Sequence, residues 1–184
     1  MIMNSVRRAP VAVLIGPPGS GKSTIGSLLA ERLGVPFRDT DTDVEGTAGK
    51  PIGDIFVEDG EAHFRELEAA AVRTALDDHD GILSVGGGAI LNPATQALLA
   101  THTVIYLQVA LDQAVKRVGL ASARPLLVLN PRSQLRKLME ERRPLYEQLA
   151  TLTFPTDDRD PEDLTTEIAT ALTTLHPESP ENPE

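Results

Sequence analysis

Apolar residues fall along this chain in two alternating patterns. Short β-favouring runs recur at Val11–Ile15 and Ile82–Val85, each bounded by glycine or proline, and at Thr103–Leu107. Such runs are the mark of strands buried on both faces. Between them, apolar positions three and four apart predict helices. Lys22–Leu33 carries Ile25, Leu28, Leu29 and Leu33 and stops at Gly34. Val35–Phe37 reads as a second short strand, followed by a short helix around Ile52–Val57 and a longer one from Glu61 to about Leu76. Asn92-Pro93 opens a helix through Leu98 and Leu99. The spacing then predicts a helix from Leu111 to about Val118, a long helix from Pro131, a fifth strand at Thr151–Phe154 and a last helix over Pro161–Leu175. That last helix sets Leu164, Ile168, Ala171 and Leu175 on one face.

Strands alternating with helices predict an α/β fold, a three-layer α/β/α arrangement around a central five-stranded parallel sheet, because parallel neighbours need crossover connections. Ligands gather at the carboxyl ends of such strands. With 184 residues the chain suffices for one domain and is too short for two ordinary ones. We expect residues 10–175 to form that domain, with an N-terminal extension at 1–9 and a disordered tail at 176–184.

Composition narrows the partners. A formal net charge of −10 repels nucleic acid and anionic membrane surfaces, and aromatics at 3% leave few stacking platforms for single strands. No apolar run approaches the twenty residues of a membrane helix, so neither a membrane nor nucleic acid is an expected partner. The basic residues ahead of Val11–Ile15 imitate the start of a signal peptide, but that apolar stretch is too short and reads as a core strand. The chain has no cysteine, which excludes disulfides and thiolate metal sites and fits a reducing, cytoplasmic compartment.

Chemistry concentrates first at Gly16-Pro17-Pro18-Gly19-Ser20-Gly21-Lys22-Ser23, the full Gly-x-x-x-x-Gly-Lys-Ser/Thr string between a strand and a helix. This is a P-loop of the NTPase type. Its glycines let the backbone wrap an anion, and the helix that follows presents free N–H groups and its positive dipole end. Lys22 is placed to reach β- and γ-phosphates and Ser23 to ligate magnesium. The string alone does not separate a motor, a GTPase or a small-molecule kinase. No guanine-reading Asn-Lys-x-Asp is present, and the basic residues are too scattered for a translocating enzyme.

Asp39 and Asp41, alternating through Thr40 at the end of the second strand, are expected to face different ways, one towards the metal and one towards the acceptor. A solvated acidic loop is the alternative, since Asp43 and Glu45 continue the charge. Arg65, Arg124 and Arg142 are candidate partners for phosphoryl or carboxylate oxygens, against the ordinary fate of helix arginines, which is solvation. Gly86-Gly87-Gly88 after a buried strand lets a ligand approach the backbone closely.

Together these pieces resemble the shikimate kinase family, over roughly residues 10–175. The matching strings are the P-loop through Thr24-Ile25-Gly26, Asp39-Thr40-Asp41, Ile52-x-Asp54-Ile55-Phe56 and Gly60-Glu61-x-x-Phe64-Arg65-x-x-Glu68. Gly86-Gly87-Gly88, Arg124-Pro125-Leu126-Leu127 and Arg142-x-Pro144-Leu145-Tyr146 complete the set. The resemblance implies transfer of the ATP γ-phosphate to the 3-hydroxyl of shikimate with Mg2+. It implies that Asp41 is the base and binds the shikimate hydroxyls, that Arg65 and Arg142 hold the carboxylate, and that Gly86, Gly87 and Gly88 line the same pocket. The nucleotide side would comprise Gly19, Ser20, Gly21, Lys22, Ser23 and Thr24, with Arg117 and Pro161 on the two faces of adenine. Lys22 and Arg124 would stabilise the transferred group, and Asp39 would share magnesium with Ser23. The shikimate-binding region would cover about 39–68 and a lid about 119–130, and the family leans towards a monomer. Arg143 is the neighbour that could replace Arg142. Gluconate kinase and nucleoside monophosphate kinases of the same group are the nearest rival readings, and a non-catalytic ATP-switched module is a more distant one.

Overall fold

Five short strands pair in the order β2-β3-β1-β4-β5, all parallel: β1 (Ala12–Ile15), β2 (Phe37–Asp39), β3 (Ile82–Ser84), β4 (Val104–Gln108) and β5 (Leu152–Pro155). The computed structural model that shows this describes residues 9–120 and 130–177. Arg124, most of the expected lid at 119–130, nearly all of the extension at 1–9 and most of the tail lie outside the described residues.

The helices are α1 (Lys22–Leu33), α2 (Thr40–Ala48), α3 (Ile52–Glu58), α4 (Glu61–Asp78), α5 (Pro93–Leu99), α6 (Leu111–Leu120), α7 (Pro131–Leu149) and α8 (Pro161–Leu175). Alternation along β1 divides the core. Ala12 and Leu14 pack with Ile25 and Leu29 of α1 and with Leu164, Ile168 and Leu172 of α8. Val13 and Ile15 face the opposite layer, Val72 and Leu76 of α4, Leu99 of α5 and Tyr146 of α7. Each fully buried Leu or Ile contributes roughly 1.5–3 kcal/mol, so both layers are fixed firmly to the sheet.

Because β3 and β4 flank β1, the chain leaves β1 towards one edge of the sheet and later crosses back to the other side. The crevice at the carboxyl end of β1 is the binding position that such a topology creates. The loop from Gly16 to Gly21 lies there.

Several expected boundaries move. The second strand lies two residues later than Val35–Phe37, and α2 begins where a turn is expected. The apolar face of α8 uses Leu172, while Leu175 is exposed. The long helix expected from Pro131 runs through Pro144 to Leu149. His176 caps α8 and meets the Thr103 hydroxyl at 2.9 Å.

Candidate active site

Gly19 and Gly21 take φ of 78° and 90°, a left-handed backbone that side chains rarely tolerate, and so turn the β1–α1 loop into a cradle. Lys22 donates from Nζ to the Gly16 carbonyl at 2.8 Å and to that of Pro17 at 3.3 Å, arching over this loop. Ser20 is fully buried, and its Oγ has no hydrogen-bond partner among the described residues. Lys22, Ser23 and Thr24 open on a cavity of about 140 Å³ also lined by Asp39, Asp41 and Ser84.

The two aspartates are arranged by a helix start, which corrects the expectation of strand alternation. Asp39 is the N-cap of α2: its Oδ1 accepts the Asp41 N–H at 2.9 Å, and its Oδ2 accepts the Ser23 hydroxyl at 3.3 Å. Asp41 stands in the first turn, where acidic side chains suit the helix dipole, and it lines both the small cavity and a larger one. Thr40 between them is buried, its Oγ1 accepting the Gly86 N–H at 3.2 Å. Asp43 is no part of the pocket wall. It accepts from Arg38 Nε at 2.7 Å, while Arg38 Nη1 reaches Asp78 at 2.5 Å, and this triad ties α2 to β2 and α4.

The larger cavity, about 640 Å³, is continuous with the P-loop side through Pro18 and Ser23. Its walls bring together Asp41, Arg65, the three glycines and Arg142 from four separate parts of the chain. The glycines are required by close approach. A Cβ on Gly86 would meet Glu68 Oε1 at 2.7 Å and Asp41 Oδ1 at 2.8 Å, and one on Gly88 would collide with the Arg65 guanidinium. Arg142 is only 9% exposed and makes no hydrogen bond or ion pair among the described residues. A nearly buried, unpaired guanidinium on a cavity wall calls for an anion. Arg143, by contrast, lines a different cavity beside Tyr106 and Glu147, so Arg142 is the arginine that serves this one.

Glu68 is missing from the expected site residues yet is buried beside them, its Oε2 accepting from Arg65 Nη1 at 2.7 Å. Burial pushes its carboxyl above the ordinary glutamate range, Arg65 pulls it back down, and the Asp41 carboxylate raises it again. Its position three residues after Arg65 on α4 is the signal that could have found it. Phe56 and Phe64, with centroids 4.6 Å apart, supply the apolar wall.

Arg117 reaches the P-loop from α6. It donates to the Gly19 carbonyl at 3.1 Å, and to Thr156 Oγ1 and O at 3.0 Å each, joining the loop after β5 to the phosphate cradle. Pro161 opens α8, is exposed, and lines neither cavity. The oxygen donors of Ser23 and Asp39 suit a hard cation that retains waters and takes phosphate oxygens as ligands. Among the described residues there is no cluster of three or more His, Cys, Asp or Glu that would enclose a metal by itself.

A parallel sheet with a P-loop at its switch point, joined to a second cavity lined by carboxylates and two arginines, defines a P-loop kinase of small acceptors. The family profile described as shikimate kinase matches residues 18–173. A shikimate kinase of Salinispora arenicola is 58% identical over 164 residues, 89% of this chain and 98% of that protein. The solved shikimate kinase from Acinetobacter baumannii in complex with shikimate superposes with a TM-score of 0.87 at 33% identity, covering 92% of this chain and 95% of that one. A gluconokinase from Sinorhizobium meliloti, at 18% identity and a TM-score of 0.56 over 92% of this chain and 94% of its own, shares the fold alone. The chain belongs to the shikimate kinase family, with the P-loop NTPase fold.

Proposed function

We propose that the chain transfers the γ-phosphoryl group of ATP to the 3-hydroxyl of shikimate, giving shikimate 3-phosphate and ADP, a step towards chorismate and the aromatic amino acids. The observation that carries this reading is Arg142, nearly buried and without a hydrogen bond or ion pair among the described residues, on the wall of a cavity that Asp41 also lines. A small carboxylic acid with vicinal hydroxyls offers an anion to Arg142 and hydroxyl groups to Asp41.

In this reading Arg142 and Arg65 hold the carboxylate, Arg65 being kept in place by buried Glu68. Residues 39–68 form most of the acceptor region within one kinase domain at 10–175. Asp41 accepts the hydroxyl proton or orients the hydroxyl for in-line attack, and the glycine turn admits the acceptor against the backbone. Gly19, Ser20, Gly21, Lys22, Ser23 and Thr24 wrap the phosphates. Lys22 and Arg124 offset charge on the passing phosphoryl group, while Arg117 and Pro161 bracket adenine. Mg2+ bound by Ser23 and Asp39 would neutralise phosphate charge. The segment 119–130 acts as a lid that excludes water. The enzyme works as a cytoplasmic monomer. That compartment agrees with the absence of cysteine and with the lack, among the described residues, of any helix long and apolar enough to cross a membrane.

The test is ADP formation in a coupled assay with magnesium and ATP, offering shikimate, gluconate and nucleoside monophosphates in turn. Shikimate-dependent ADP formation is expected. Turnover of gluconate or a nucleoside monophosphate, with none of shikimate, overturns the reading.

A further inference from the structure

Tyr146 sits four residues after Arg142 on α7, on the same side of the helix: Arg142 lines the acceptor cavity, and Tyr146 meets the glycine turn that forms part of its wall. It is 1% exposed, and its ring stacks on Tyr106 of β4 with centroids 5.1 Å apart and planes 23° apart. From this fixed position its hydroxyl donates to the Gly87 carbonyl at 2.6 Å. Gly87 is confined on its other side too, since a Cβ there would meet the Gly16 carbonyl at 3.2 Å and Pro18 at 3.4 Å. The central glycine is thus held between the P-loop and Tyr146.

The consequence lies in the peptide plane. The Gly87 carbonyl and the Gly88 N–H belong to one planar trans unit and point in opposite directions. Holding the carbonyl on Tyr146 turns the Gly88 N–H away from α7. Neither the Gly87 nor the Gly88 N–H donates a hydrogen bond within the described structure, although both residues are buried cavity walls. Buried backbone donors without partners are uncommon, and a ligand oxygen is the natural acceptor here, beside the Arg65 guanidinium that already abuts Gly88.

We propose that Tyr146 is a positioning residue for acceptor recognition: through its hydrogen bond to Gly87 it sets the plane that presents the Gly88 N–H to the acceptor's carboxylate. The inference rests on the shikimate reading above. It also distinguishes Tyr146 from a residue that only fills the core, because the hydroxyl can be removed while the stacked ring stays.

Tyr146→Phe tests it in the full-length enzyme. The KM for shikimate rises about tenfold, the effect of one well-aligned hydrogen bond, while kcat and the KM for ATP stay within about twofold of wild type. Tyr106→Phe, which keeps the same stack, retains the wild-type KM. An unchanged shikimate KM in Tyr146→Phe, or equal rises for both substrates, overturns the proposal. An NMR comparison of the ligand-free proteins decides independently of turnover. The Gly88 amide resonance of Tyr146→Phe moves further than any amide of β1 or β4, and a Gly88 resonance at its wild-type position overturns the proposal. Should wild type fail to turn over shikimate at all, the functional reading falls, and the Gly88 resonance alone judges the role of Tyr146.

Discussion

At the nucleotide end of the site, Lys22 rests its ammonium on the Gly16 carbonyl six residues back in the chain. At the acceptor end, Arg142 reaches a cavity whose other charged walls come from the stretch between β2 and α4, more than seventy residues earlier. The first arrangement is local and made mostly of backbone, with glycines at φ 78° and 90° shaping a cradle that suits any phosphate chain. The second is assembled by tertiary packing from side chains of opposite charge. Only the second can discriminate between acceptors, because its specificity lies in where separate elements meet. A P-loop kinase therefore changes substrate by altering this half and leaving the loop alone.

The sharpest way to break the comparison is Asp41→Asn. Asp41 lines both cavities, and as the proposed base it would support the transfer step, so kcat should fall about a thousandfold with ATP affinity measured by titration unchanged. Full activity in this variant would remove Asp41 from the chemistry and leave the two halves joined by position alone.

Glu68 tests the acceptor half through pH. Its folded-state pKa lies above the reference value of 4.5, burial being the largest cause. The stability it contributes is therefore fully present below that reference and is lost as pH rises through the elevated value. Glu68→Gln cannot ionise, so its melting temperature should fall less steeply than that of wild type as pH rises from 4.5 through the elevated value. Parallel melting curves across that range would mean that the buried carboxyl is not strained by its surroundings.

The smallest effect is expected at Asp43. Its bond to Arg38 is partly exposed, and Asp78 remains as a second partner, so Asp43→Ala should destabilise by about 0.5 kcal/mol and leave the shikimate KM unchanged. A large rise in that KM would place Asp43 in the acceptor half after all.

How much of this was legible follows the same division. The P-loop is a contiguous string, and β1 and α1 on either side of it fall where the apolar pattern puts them. Helix α2 was missed because Val44 is its only fully buried apolar residue, so it has almost no periodic signal. Its cap, Asp39 followed by Asp41 and Asp43 in the first turn, was present in the sequence but read as chemistry rather than as a helix start. Arg65, Gly86–Gly88 and Arg142 were picked out by residue type and family resemblance, and no local pattern brings them to one cavity. The bond from Tyr146 to Gly87 spans 59 positions and exists only in the fold. Arg117 was expected at the nucleotide, but its anchoring of Gly19 to Thr156 depends on the placement of β5, which the sequence does not encode near either partner.

In the proposed function Arg142 reads a carboxylate, and the methyl ester of shikimate tests that role directly. Wild type should use shikimate over the ester by about a hundredfold in kcat/KM, because the ester leaves a buried cation without its partner. In Arg142→Ala the preference should shrink to a few-fold. A preference that survives intact in Arg142→Ala would remove Arg142 from carboxylate recognition.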